Sequence, residues 1–368
     1  MLAGRRGAGL PRLAFRHAGG AAARARTGAG AGGDGVPAQH PPRVLFHFLG
    51  RADAAAGGAV RRQPAGRRRP RRGLSRVACA LLPLFDLLAK AVARLPQRGL
   101  LALGRVLAWL AWPLLRSRRR IARINVDLCF PGIDATARRR LADASVVNTV
   151  IGALELLRAW HAPSPALAGL ADVTGLEHLR AAKARGQGVL LMCGHFTHTE
   201  LAVRLLGEAL GRSPRVVVRR HNNACLESWF ERSRAAVYGP SIGKKDVRGL
   251  LRALSGGEAV VYSADQNFTY QNAFVPFFGV PAATLTATPD LVKRANAVLL
   301  PFWYRRGDDG RYHVRVEAPW PGWPSGDPVE DAARYMRELE TVVRECPEQY
   351  LWAHRRFKTR PPGEPPVY

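Results

Sequence analysis

Apolar and polar positions fall into blocks along the chain, and the period of the blocks changes. Val189-Leu190-Leu191-Met192-Cys193 is an unbroken apolar run, which predicts a strand buried on both faces. Gly194 ends it, and over 197–210 the apolar residues Leu201, Leu205, Leu206 and Leu210 recur at helical spacing. The same patterns predict strands over 215–218, 259–263 and 298–304, with 312–316 as an edge strand. Helices are predicted over 175–185, 222–234, 247–255 and 329–346, the last stopped by Pro347. Residues 281–296 read as mainly helix. Helical spacing also covers 121–162, where Pro131 interrupts and Asp134 or Thr136 caps the restart. Alternating strands and helices predict an α/β fold, a mixed β-sheet covered by helices.

Upstream the pattern is different. Residues 77–95 are mostly apolar but carry Asp86 and Lys90, and Pro96 ends the run. Residues 100–115 are apolar again, with Arg105, Trp109 and Trp112, and Arg116-Ser117-Arg118-Arg119-Arg120 follows. A bilayer span needs about 20 apolar residues. These two runs are shorter than that or broken by charge. They predict an N-terminal membrane-anchoring helical segment, lying in plane or spanning once, with the arginines on the cytoplasmic side; the other reading is a pair of core helices. Residues 1–73 hold 15 arginines against Asp34 and Asp53 and lack apolar periodicity, which predicts a disordered extension. It has no apolar core of the kind a secretory signal needs. The expected organisation is therefore 1–73 extension, 74–120 membrane-associated helices and 121–368 folded α/β domain.

His195 stands at the C-terminal end of its strand, and Glu200 stands on the first turn of the helix that follows. A base with a carboxylate to orient it is the minimum equipment for deprotonating an alcohol. Three other strand ends carry polar residues: Arg219 and Arg220 with Asn222 and Asn223, Asp265 with Gln266, and Arg305 with Arg306. In a parallel sheet these points converge on one edge. Paired arginines there suit phosphate or carboxylate, although arginines on loops are also ordinary solvated charge. His195, His198 and Glu200 have the chemistry of zinc or iron ligands, but the chain offers neither HExxH nor a CxxC pair, so no metal and no cofactor are expected. The run from Phe274 to Pro281, with three phenylalanines and two prolines, reads as an apolar loop that an acyl chain, a bilayer or the core must cover.

Five cysteines, at 79, 129, 193, 225 and 346, match no zinc spacing; Cys79 and Cys193 read as buried thiols in a reducing environment. The net charge of +28 suits nucleic acid, anionic lipid or an acidic carrier protein. No aromatic stacking motif or recognition helix organises the basic residues, so nucleic acid is not an expected partner.

Together, Gly194-His195-Phe196-Thr197-His198-Thr199-Glu200, Arg219 with Asn223, Lys245-Asp246-Val247-Arg248-Gly249, Asp265-Gln266, the Phe274–Ala283 run and the 347–361 tail make the chain similar to the bacterial lipid A late acyltransferases, within the glycerolipid acyltransferase superfamily. The tail is the most specific of these, and the resemblance covers about 74–368. It departs from the family at Asn267-Phe268 after Asp-Gln and at Ala224 after the asparagine. The resemblance implies transfer of an acyl group from an acyl carrier protein thioester to the hydroxyl of a 3-hydroxyacyl chain on a lipid A precursor, an anionic glycolipid. The expected setting is the cytoplasmic face of the cell inner membrane, in contact with its lipid. His195 and Glu200 would be the catalytic pair, with Glu200 holding the ring. Arg219, Asn223, Asp265 and Gln266 would bind substrate, with Asp265 positioning Arg219 or the acceptor. A glycerophospholipid or mannolipid acceptor is the alternative.

Overall fold

The structure, a computed structural model, describes residues 79–221 and 223–368. The predicted extension over 1–73, and Asn222, lie outside the described residues. Among the described residues four helices come first: α1 (Leu82–Ala93), α2 (Gln97–Leu110), α3 (Arg116–Cys129) and α4 (Ala135–His161). Asp134 caps α4 by accepting from the Ala137 N–H at 2.9 Å. The core follows as β1 (Ala171–Thr174), α5 (Leu176–Ala184), β2 (Val189–Cys193), α6 (Thr199–Leu210), β3 (Arg215–Val218), α7 (Ala224–Tyr238), β4 (Ile242–Gly243), α8 (Val247–Ser255) and β5 (Ala259–Ser263). The chain closes with β6 (Asn272–Phe277), β7 (Val280–Leu285), α9 (Thr288–Arg294), β8 (Val298–Arg306), β9 (Tyr312–Val316) and α10 (Pro328–Glu345).

Seven strands form one sheet in the order β1-β9-β8-β2-β5-β3-β4. β8, β2, β5, β3 and β4 are parallel neighbours, and β9 turns antiparallel on β8. The predicted mixed sheet with its helical cover is therefore present. β2 lies in the middle with all five residues buried, as its uninterrupted apolar run requires. β9 is not an edge strand, because β1 pairs with it in parallel. β1 escapes sequence reading since it is four residues long with two of them polar.

The apolar segment over 274–281 is a hairpin rather than a loop. β6 and β7 pair antiparallel, and Pro276 faces Pro281. A single position of the ladder thus absorbs both missing N–H donors. Phe278 and Gly279 turn the chain with φ of 52° and 77°, the left-handed pair that a two-residue hairpin of matching twist uses. The ordinary core covers two of its three phenylalanines: Phe277 is fully buried between Tyr350, Trp352 and Phe357, and Phe278 packs on Phe130, while Phe274 stays exposed. Helix begins only at Thr288, so the first part of the predicted 281–296 helix is strand.

α1 and α2 lie on α4. Leu100 and Leu101 of α2 form a small core with Ile151 and Leu154, and Gly104 lets the helices close: a Cβ there would meet Ile151 Cγ1 at 2.7 Å. Among the described residues, no helix is long and apolar enough to cross a membrane. Cys79 is half-buried and joined to Cys225 at the start of α7 in a disulfide, not a buried free thiol. The pairing spans 146 residues, so local sequence gives no sign of it. Cys193 is the buried thiol its context predicts.

Candidate active site

β2 and β5 are register partners, so their C-terminal ends Cys193 and Ser263 lie side by side and the loops beyond them begin together. His195 and Asp265 stand on those loops. The His195 Nδ1 and Asp265 Oδ1 are 2.5 Å apart. Asp265 Oδ2 accepts from the His195 backbone N–H at 2.9 Å and from the Tyr350 hydroxyl at 2.8 Å. The carboxyl side chain is 1% exposed, whereas the imidazole is 33% exposed. Burial alone would raise the Asp265 pKa. The imidazolium beside it and these three hydrogen bonds outweigh burial and hold the carboxyl well below the usual range. Burial likewise works against a charged His195, but the field and hydrogen bond of Asp265 win and raise its pKa above the ordinary histidine value. An ionised carboxylate only accepts, so in the neutral ring Nδ1 carries the proton and Nε2 presents its lone pair. No described residue bonds to Nε2.

The expected pairing of Glu200 with His195 is not the one observed. Glu200 accepts from the Trp160 indole N–H at 3.1 Å and from Arg234 at 3.4 Å, and its backbone carbonyl accepts from Tyr238 at 2.7 Å. No hydrogen bond or ion pair joins it to the imidazole. The physical reason is topological. β5 supplies a carboxylate next door to β2, while α6 carries Glu200 towards α4 and α7. Glu200 is still 23% exposed, and its partner Trp160 belongs with Phe230, Trp229 and Phe85 to an edge-to-face series of rings reaching α1. Beside that series a cleft of about 260 Å³ opens between α1 and α7, lined by Leu81, Leu82, Phe85, Asn223, Cys225 and Leu226.

Two close approaches fix the histidine loop. A Cβ on Gly194 would lie 2.4 Å from Leu339 Cδ1, and one on Gly152 of α4 would lie 2.2 Å from the Thr197 carbonyl oxygen. The Tyr335 hydroxyl donates to the Cys193 carbonyl and Tyr304 to that of Gly194, each at 2.8 Å. Burial pushes the Cys193 thiol up to about 12, so it is not a nucleophile at neutral pH. His198 is 1% exposed, and both of its ring nitrogens lack a partner among the described residues. It packs on Tyr304 and Tyr312, and burial, with Arg306 adding to it, lowers its pKa well below the ordinary value. No group of His, Cys, Asp and Glu suited to a metal ion occurs among the described residues.

The other expected residues divide. Arg219 is exposed just beyond β3 and has no partner among the described residues. β3 is two strands from β2, roughly 10 Å at ordinary strand spacing. Asp265 does not position it, since its hydrogen bonds go to His195 and Tyr350. Asn223 Oδ1 accepts from the Cys225 and Leu226 N–H groups at 3.0 and 3.1 Å, so it is the N-cap of α7. Gln266 is half-buried, and its carbonyl accepts from Arg356 at 3.1 Å. Arg306, one of the expected edge arginines, turns inward to Glu155 and Asn148. Two residues that local spacing did not single out are central: Tyr350 on the carboxylate, and Tyr304 beneath the loop. The tail run contained the first of them, but only the fold shows what it touches.

The profile of the bacterial lipid A biosynthesis acyltransferases matches residues 78–359. The chain belongs to this family. It is an O-acyltransferase. The chain is 34% identical over 281 residues to the lipid A biosynthesis lauroyltransferase of Escherichia coli K12, which covers 75% of this acyltransferase and 91% of the relative. It is 34% identical over 279 residues to the palmitoleoyltransferase of the same organism, covering 75% and 90%. A Haemophilus influenzae lipid A biosynthesis acyltransferase is 31% identical over 284 residues, covering 75% and 90%. The match lies within the described region of the acyltransferase apart from residues 78 and 222, and it includes His195, Asp265 and Tyr350.

Proposed function

We propose that the enzyme transfers a fatty acyl group from the thioester of acyl carrier protein to the hydroxyl of a 3-hydroxyacyl chain on a lipid A precursor, with His195 as general base. The observation that carries this reading is the half-exposed imidazole whose Nδ1 is engaged by a buried, ionised Asp265 and whose Nε2 is left as an acceptor. Nε2 takes the hydroxyl proton as the oxygen attacks the thioester carbon. The tetrahedral intermediate collapses, the C–S bond breaks, and the departing thiolate takes the proton from the imidazolium. Ester and free thiol result, and the histidine is neutral again. Asp265 holds the tautomer and stabilises the imidazolium, as the acid of a triad does. Glu200 shapes the adjoining wall by fixing Arg234 and Trp160.

The acceptor's charge has a counterpart at the same sheet edge. Arg219 and Arg220 after β3, and Lys244, Lys245 and Arg248 after β4, are exposed, and their side chains have no partner among the described residues. Arg219 is the proposed phosphate ligand, Gln266 and Asn223 border the substrate, and the α1–α7 cleft receives acyl chain. The exposed apolar residues of α1 and α2 would rest on the inner membrane at its cytoplasmic face. Purified enzyme incubated with acyl carrier proteins of several chain lengths and lipid A precursor, with product masses read out, tests the reading. The expected product is a precursor heavier by one acyl group, absent with His195→Ala. Acylation of a glycerophospholipid or mannolipid instead, or a fully active His195→Ala, would overturn it.

A further inference from the structure

Asp265 has three hydrogen-bond contacts, and two of them come from His195 itself. The third is the hydroxyl of Tyr350, in the tail after α10, and that ring is 4% exposed. The same stretch of tail grips the histidine loop by its backbone. The Thr197 N–H donates to the Gln349 carbonyl at 2.9 Å, the Leu351 N–H donates to the His195 carbonyl at 3.0 Å, and Phe196 and Tyr350 form an antiparallel bridge. Gln349 is itself fixed to the Arg306 backbone through both ends of its amide, at 2.8 and 2.9 Å. Further on, Asn125 of α3 donates to the Trp352 and His354 carbonyls, each at 2.7 Å, and Arg356 donates to the carbonyls of Gln266 and Ala283. One short segment therefore holds the base by its main chain and the carboxylate by a side chain.

We propose that Tyr350 is a positioning residue for acyl transfer, its hydroxyl holding the Asp265 carboxylate in the orientation that receives the His195 ring. This rests on the reading of His195 as general base. Tyr350 touches Asp265 and not the exposed face of the imidazole, so its contribution falls on turnover and not on substrate binding. It also tunes the base. A hydroxyl aimed at a carboxylate withdraws negative charge from it; without that donor the carboxylate is more basic and favours the imidazolium more strongly. The titratable and charged groups that face Asp265 are His195 and Cys193 from β2 and its loop, Tyr304 from β8, Tyr335 from α10, and Tyr350, His354 and Arg356 from the tail. Of these tail groups only Tyr350 hydrogen-bonds to the carboxylate.

The test uses the full chain and compares wild type, Tyr350→Phe, Asp265→Asn and the double variant, with thermal unfolding as the fold control. Tyr350→Phe should lower kcat about 10- to 100-fold, the scale of a hydrogen bond to a charged group, with KM for the acceptor nearly unchanged. The acidic limb of its kcat/KM profile should move to higher pH. In the Asp265→Asn background the same substitution should add little, because the two residues act as a unit. If the phenylalanine variant does not fold, difluorotyrosine at 350 keeps the shape and strengthens the donor, and the limb should move the other way. Wild-type kcat with an unmoved limb, or effects that simply add in the double variant, overturn the proposal. His195→Ala is run alongside: an active His195→Ala removes the underlying mechanism, whereas an inactive one beside a normal Tyr350→Phe removes only the role of Tyr350.

Discussion

At His195 two opposing effects meet on one ring, and their balance sets the pH at which the enzyme works. Burial disfavours the imidazolium, while Asp265 favours it more, so the folded pKa lies above the ordinary histidine value. A general base acts only when neutral. The kcat/KM of the wild type should therefore fall as pH drops through that raised value, with an acidic limb above about 6.5. Asp265→Asn should cost about 10²- to 10⁴-fold in kcat/KM, since the ring then loses both its tautomer and the charge that stabilises the imidazolium; steady-state kinetics checks this. The place of His195 was legible in the sequence, because a buried strand that stops at glycine delivers the next residue to the sheet edge. Its partner was not. Spacing along the chain favours Glu200, five residues on, while the residue that touches the ring is 70 positions away on the neighbouring strand. Asn223 caps α7, as an asparagine before a helix does whether or not a ligand is near.

Elements are tied together by a buried polar network as much as by apolar packing. Glu155 of α4 is fully buried and meets Arg306 of β8 and the Tyr312 hydroxyl of β9; Arg306 also reaches Asn148. Gln97 at the start of α2 donates to Tyr312, and Arg158 reaches Gln97 and the Leu95 carbonyl. The apolar hairpin of α1 and α2 is thereby locked to the sheet. Removing one partner of a buried pair strands the other charge, so Arg306→Met should destabilise the fold by about 3–5 kcal/mol, measured by denaturant unfolding. Substitution of Phe277 by Ala should destabilise by about 3–5 kcal/mol through the cavity it leaves. β2, α8 and β5 were readable at their true bounds because each is a clear apolar run or stripe closed by glycine or a polar residue. The β6–β7 hairpin was not, because prolines that usually exclude a strand here share one position of the ladder.

Among the described residues, apolar exposure concentrates on α1 and α2. Leu84, Leu87 and Leu88 of α1 and Val106, Trp109 and Leu110 of α2 are each more than half exposed, Trp109 at 74%, and Leu114 follows at 86%. Arg105 interrupts that face, and a cluster of arginines follows from Arg116, with Arg119 lying over Trp112 at 3.9 Å. Such a face beside cations suits a lipid surface held in plane. Leu87→Glu with Trp109→Glu should abolish co-sedimentation with anionic vesicles while leaving thermal unfolding in place; unchanged sedimentation would rule out this face. Composition already pointed to an anionic partner, but only the fold separates the face of α1 and α2 from the cations at the sheet edge. The central claim, that His195 is the base and Asp265 the group that sets it, is tested most directly by the pH dependence of kcat/KM in wild type, Asp265→Asn and Glu200→Gln. The account predicts an acidic limb that moves to lower pH in Asp265→Asn, where burial alone acts on the ring, and stays in place in Glu200→Gln whatever that variant loses in rate. A limb that follows Glu200 and ignores Asp265 would contradict it.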